Sequence, residues 1–132
     1  MIETPPRILV VEDVALIRTI YDITFAEVKA AVAPDLVVEF AVDGREAIER
    51  MARTPPIDLL LLDLFMPGVD GLEVGKAARA STTNKDTRIL IFTASDKTEA
   101  SRAMQSLGAS GVIAKPVEIE DLIKKAEALF KG

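Results

Sequence analysis

The stretch IDLLLLDLFMPGVDGLE, residues 57–73, carries four consecutive leucines, Leu59 to Leu62, then Asp63, then a Met-Pro-Gly turn. An uninterrupted aliphatic run this short, bounded by turn residues, reads as a strand covered on both faces, as in a parallel sheet. An acid at the tip of such a strand is costly to bury unless a partner meets it. The leucines therefore anchor a central strand, and Asp63 is held at its end as a group with a task.

Outward from that run, short apolar segments alternate with segments of helical period. RILVV (7–11), LVVEFA (36–41), DLLLL (58–62), RILIF (88–92) and GVIA (111–114) read as strands. Glu39 interrupts the second and marks it as an edge. Helices are predicted from Val14 to about Ala33, over 43–51, over 71–80, through Ala100, Ala103, Met104 and Leu107, and through Ile119, Leu122, Ile123, Ala126, Leu129 and Phe130. Pro34 ends the first, since proline disfavours helix just before itself, and two glycines make the helix over 71–80 the weakest. The order is βα repeated five times, which predicts an α/β three-layer (βα)5 sandwich around a parallel sheet. With no linker and no shift of composition, residues 1–132 read as a single domain.

Composition narrows the chemistry. The 132 residues carry a formal charge of −5, which argues against direct binding of nucleic acid or an anionic membrane. Cysteine and histidine are both missing. That removes disulfides, thiolate metal sites, histidine-ligated zinc and serine–histidine catalysis. No signal peptide is read at the start, and no apolar stretch approaches the roughly 18 residues of a spanning helix. A soluble cytoplasmic protein is the expectation.

In an open parallel α/β sheet, sites form beyond the carboxyl ends of the strands. The first strand ends in Glu12-Asp13, the third in Asp63, the fourth in Thr93 and the fifth in Lys115-Pro116. Taken singly, each has an ordinary explanation. Asp13 could cap the next helix, Thr93 could serve a turn, and Lys115 could be solvated. Asp43 and Asp70, each before a glycine, read as turn or helix-start residues. Together they bring carboxylates, a hydroxyl and an amine to one rim. Acids so close repel unless a cation joins them, and an all-oxygen set suits a hard ion, magnesium first. One acid is then left as a nucleophile able to form an aspartyl phosphate.

The elements VVED (10–13), DLFMPGVDG (63–71), FTAS (92–95) and LGASGVIAKP (107–116) resemble the receiver domains of bacterial two-component response regulators, of the chemotaxis-regulator type. The likeness runs over roughly residues 6 to 131. It implies a flavodoxin-like fold with strand order 2-1-3-4-5. By this resemblance Asp63 is the phosphoacceptor, and Glu12, Asp13, Asp63 and the main-chain carbonyl of Phe65 hold Mg2+. Thr93 is the switch hydroxyl, and Lys115 pairs with the phosphoryl group across a Lys115-Pro116 bond that is usually cis.

The implied partner is a sensor histidine kinase or a histidine phosphotransfer protein. A downstream protein target would be met through the fourth helix, fifth strand and fifth helix. The domain acts as a phosphorylated signalling module rather than a turnover enzyme, with slow hydrolysis resetting it. Phe65 and Ser95 flank the path of water, and an apolar Phe65 implies a long-lived phosphoryl group.

Val112 stands where the family usually has an aromatic that turns inward, so switching by that motion is not expected. A degenerate receiver used for docking or dimerisation is the alternative that Val112 keeps alive. An aspartate-based phosphohydrolase of the haloacid-dehalogenase type would need an acid at Phe65. A flavin- or nucleotide-binding module would need a phosphate loop where EDVALIR (12–18) stands. The chain closes just after the fifth helix, which predicts a stand-alone receiver. The first helix is about one turn long for the family. Its apolar excess around Val14, Leu16 and Ile17 is read as core packing, with kinase docking as the other reading.

Overall fold

The computed structural model describes residues 5–63, 71–93, 97–114 and 119–131. The chain runs β1 (Arg7–Val11), α1 (Ala15–Val32), β2 (Val37–Ala41), α2 (Gly44–Met51), β3 (Leu59–Asp63), α3 (Gly71–Ala80), β4 (Arg88–Thr93), α4 (Lys97–Leu107), β5 (Gly111–Ala114) and α5 (Ile119–Lys131). All strand pairs are parallel, in the order β2-β1-β3-β4-β5. This is the expected flavodoxin-like sandwich. Asp63 and Thr93 are the last residues of β3 and β4, as the sequence predicts.

β3 is central because both of its faces are apolar. Leu59 and Leu61 join Ile8, Val10, Phe25, Leu90 and Phe92 beneath α1 and α5. Leu60 and Leu62 join Leu9, Val11, Ile89 and Ile91 on the side of α2, α3 and α4. Leu60, Leu61 and Leu62 are fully buried, and each such side chain contributes about 1.5–3 kcal/mol relative to exposure. A strand that must satisfy two cores cannot slip by one residue, because a slip exchanges the faces of every side chain. The position of Asp63 is set by that constraint.

Between α3 and α4 the side chain of Leu107 packs directly onto the backbone at Gly75. A Cβ built on Gly75 would lie 2.8 Å from Leu107 Cδ2, and Leu107 is itself buried. The glycine that weakens α3 by propensity is thus what lets α4 seat. Gly75→Val is expected to lower unfolding free energy by about 2 kcal/mol through overpacking, read as a shift in denaturant midpoint. α4 ends where Gly108 takes φ +62° and Ala109 N–H donates to Met104 O at 3.1 Å, a left-handed closure that glycine adopts without strain.

The edge is managed by charge. Glu39 on β2 accepts from Arg50 Nε at 2.8 Å and from Arg7 at 2.6 Å. Arg50 is buried, and it also donates to Pro55 O at 2.6 Å and Arg53 O at 3.0 Å. The hydrogen bond from Arg50 above all, with that from Arg7, holds the Glu39 carboxyl below its ordinary 4.5 despite partial burial. A depressed folded value means that the stabilisation is complete above the unfolded value and is lost as pH falls through the folded one. Glu39→Gln is therefore expected to cost about 1–2 kcal/mol near neutral pH, allowing for solvent screening. The difference from wild type should close as pH falls below about 4.5, the ordinary value. Urea titrations at several pH values would show it.

At the amino end of the sheet, buried Asn84 accepts from Ile57 N–H at 2.7 Å and donates to Met51 O at 2.8 Å. It ties the turn before β4 to the segment that leads into β3. Asp43 caps α2 by accepting from Glu46 N–H at 2.8 Å, as its place in the sequence predicts.

Candidate functional site

Two adjacent strands deliver the acids. β1 and β3 pair with Val11 level with Leu62, so the next positions along are Glu12 and Asp63. Period-two alternation puts Asp63 on the face of Leu59 and Leu61, beneath α1. One carboxylate oxygen each from Glu12, Asp13 and Asp63 lie within 4.8 Å of one another. Glu12 and Asp63 are buried, and Asp13 is exposed.

Local structure holds the β1 tip open toward Asp63. Glu12 N–H donates to Ala41 O at 3.1 Å, which continues the β1–β2 ladder by one bond. Its carboxylate accepts from Val14 N–H at 3.3 Å, and Arg18 donates to its main-chain carbonyl at 2.9 Å. The N-cap of α1 is Val14, with no side-chain cap. Asp13 is therefore not the cap of α1, and its carboxylate belongs to the acidic group.

Three carboxylates this close repel one another, and burial of two of them raises the cost. A hard divalent cation with oxygen preference relieves both, and the donor set fits magnesium. Thr93 ends β4 in register with Ala114 of β5. Its backbone therefore stands on the same sheet rim as Asp63, which pairs with Phe92. Lys115, Phe65, Asp70, Ser95 and the Lys115-Pro116 bond lie outside the described residues. Val112 is partly buried and packs against the core on the α3–α4 side.

Sequence reasoning missed Tyr21. Its ring is buried beneath the sheet and stacks on Phe92 with centroids 5.4 Å apart and planes 17° apart. Among the described residues, its hydroxyl is the one buried side-chain polar atom without a hydrogen-bond partner. Such a group costs about 1–3 kcal/mol. Burial first, then the negative charges of Glu12 and Asp63, push the phenol's pKa up. A signal was present in the sequence. Ile17, Tyr21, Thr24, Phe25 and Val28 follow the inward stripe of α1, and a tyrosine in such a stripe carries a polar tip into the core.

The reading of Val14 and Leu16 as core residues is corrected. They are 48% and 69% exposed, while Ile17 alone of the three packs against the core. Ile20 and Ile23 are exposed as well. Leu16, Ile20 and Ile23 follow i, i+4, i+7, so the apolar excess of α1 is an outward stripe distinct from its inward one.

The response regulator receiver domain profile matches residues 8–127, and the chain belongs to that family. Receiver domains are signalling modules that bind Mg2+ in an acidic cluster. Response regulator MprA from Mycobacterium leprae is 42% identical over 94 residues, 71% of this chain and 40% of the relative. The chain thus spans about two fifths of that relative's length. Chemotaxis protein CheY4 of Vibrio cholerae superposes with a TM-score of 0.81 at 30% identity, covering 96% of this chain and 99% of that one. Response regulator TrrA of Thermotoga maritima, solved in complex with Mg2+-BeF, gives a TM-score of 0.75 at 28% identity, covering 94% and 98%. No described helix is long and apolar enough to cross a membrane.

Proposed function

We propose that the chain is a receiver that accepts a phosphoryl group on Asp63 from a phosphohistidine of a sensor kinase or phosphotransfer protein, and signals by phosphorylation-dependent protein binding. The observation that carries this reading is the meeting of Glu12, Asp13 and Asp63 within 4.8 Å at the carboxyl ends of β1 and β3. A carboxylate oxygen of Asp63 attacks phosphorus, the P–N bond breaks, and its electron pair leaves on the imidazole. Mg2+, when bound, neutralises charge on the transferring oxygens. Glu12, Asp13, Asp63 and the Phe65 carbonyl would hold it. The complex of TrrA with Mg2+-BeF supports a magnesium-dependent site in this relative.

The Thr93 hydroxyl and the Lys115 ammonium are assigned to the phosphoryl oxygens, whose charge of about −2 requires donors and a cation. The exposed stripe of Leu16, Ile20 and Ile23 begins next to Glu12 and Asp13. It supplies an apolar surface on which the phosphodonor can seat. The downstream target is assigned to α4, β5 and α5.

Incubation with Mg2+ and acetyl phosphate, followed by intact-mass measurement, tests the reading. One added phosphoryl group, dependent on Mg2+, is expected. Absence of any adduct would leave the docking or dimerisation module in its place, and turnover of many phosphate esters would point to a hydrolase.

A further inference from the structure

We propose that Tyr21 is a positioning residue of the acidic site: its hydroxyl donates a hydrogen bond to the Glu12–Asp63 carboxylate pair in the cation-loaded state, and so raises affinity for the cation. This rests on the reading of the site as a magnesium centre.

Tyr21 is 2% exposed, so its hydroxyl cannot turn to bulk water. Buried hydroxyls in native proteins nearly always find a partner, and an exception points to a state in which one is supplied. The acceptors within electrostatic reach of this phenol are Glu12 and Asp63. Both belong to the face of the sheet that α1 covers, since Asp63 follows Leu59 and Leu61, and Glu12 follows Ile8 and Val10.

The ring is held by its stack on Phe92, the residue level with Asp63 on the neighbouring strand. A rigid phenol next to two acids is a donor and not an acceptor. A phenol carries its proton at neutral pH, so it adds no negative charge of its own. A neutral donor orients a ligating carboxylate without competing with the cation, the role that hydrogen-bonding neighbours of metal ligands play generally.

Tyr21→Phe keeps the ring, the stack and the burial, and removes only the O–H. The chain holds one tyrosine and no tryptophan, so tyrosine emission of the wild type reports from this ring alone. Mg2+ titrations would follow wild-type emission, and the melting temperature of both proteins. The wild type should change emission on saturation. Tyr21→Phe should melt at the same or a higher temperature without Mg2+, because an unpaired polar group has gone. Its apparent Mg2+ affinity should be weaker by about tenfold. A residue that only packs would leave the Mg2+ affinity unmoved, and equal affinities in the two proteins would overturn the proposal while sparing the site. A wild type whose melting temperature ignores Mg2+ would overturn both.

Discussion

Asp63→Asn is expected to acquire no phosphoryl group from acetyl phosphate, with adduct below about one hundredth of the wild-type level under the same Mg2+. The substitution keeps size and shape at the end of β3, where both neighbouring cores hold the backbone in place. What changes is the oxygen. A carboxylate oxygen shares a full negative charge, whereas an amide group is neutral and its oxygen holds only the partial charge that nitrogen donates, so it is a poor nucleophile toward phosphorus. The same change removes one of the three charges gathered within 4.8 Å, and cation affinity falls with it.

A second readout separates the two losses. At a free Mg2+ concentration of about a hundred times Kd, ligand binding stabilises a protein by about 2.7 kcal/mol, and a tenfold weaker site gains only about 1.4. A smaller melting shift in Asp63→Asn, alongside the missing adduct, identifies Asp63 as both ligand and acceptor. An adduct that persists in the variant would place the chemistry on another residue.

Arg79→Met is expected to lower unfolding free energy by about 3 kcal/mol, measured by urea titration. Arg79 closes α3 and donates to four main-chain carbonyls that belong to other elements. Nε reaches Leu107 O at 2.7 Å, and one terminal nitrogen reaches Lys85 O at 2.8 Å and Thr87 O at 2.6 Å. The other terminal nitrogen reaches Gly108 O at 3.3 Å. Two of these carbonyls end α4, and two precede β4, so the guanidinium fastens the helix that follows the Thr93 strand end. Hydrogen bonds from a charged donor are worth about 1.5–3 kcal/mol each when buried. Part of that returns when exposed carbonyls meet water, which leaves about 3. Lysine should not rescue the loss. A single ammonium cannot span carbonyls on two elements, whereas the planar fork can. Full stability in Arg79→Lys would show that the charge, and not the fork, matters.

The fold was legible because two different periods alternate along the chain. Short aliphatic runs of strand length, bounded by turn residues, read as strands covered on both faces, and five such segments separated by helical ones leave few topologies. The acidic group was legible for a related reason. Strand ends are marked in sequence by the abrupt change from Leu62 to Asp63 and from Val11 to Glu12, and parallel strands bring equivalent ends to one rim. Even the edge position of β2 was written in Glu39, although its two arginine partners were not.

Other features were not readable from the chain alone. Arg79 and Asn84 bind main-chain carbonyls and amides, groups that every residue carries and no sequence distinguishes. Val14 and Leu16 seemed core residues because α1 is apolar on two sides, and hydropathy cannot say which side meets the sheet. Tyr21 sat unnoticed for the same reason: its inward stripe and the outward stripe of Leu16, Ile20 and Ile23 have the same period. By itself the sequence determined which segments are strands, which are helices and which residues end each strand, since these depend on neighbours along the chain. Only the tertiary structure decided which face of α1 is buried, what closes on Gly75, and that the ring of Tyr21 is buried against Phe92, because those depend on contacts between residues far apart in sequence.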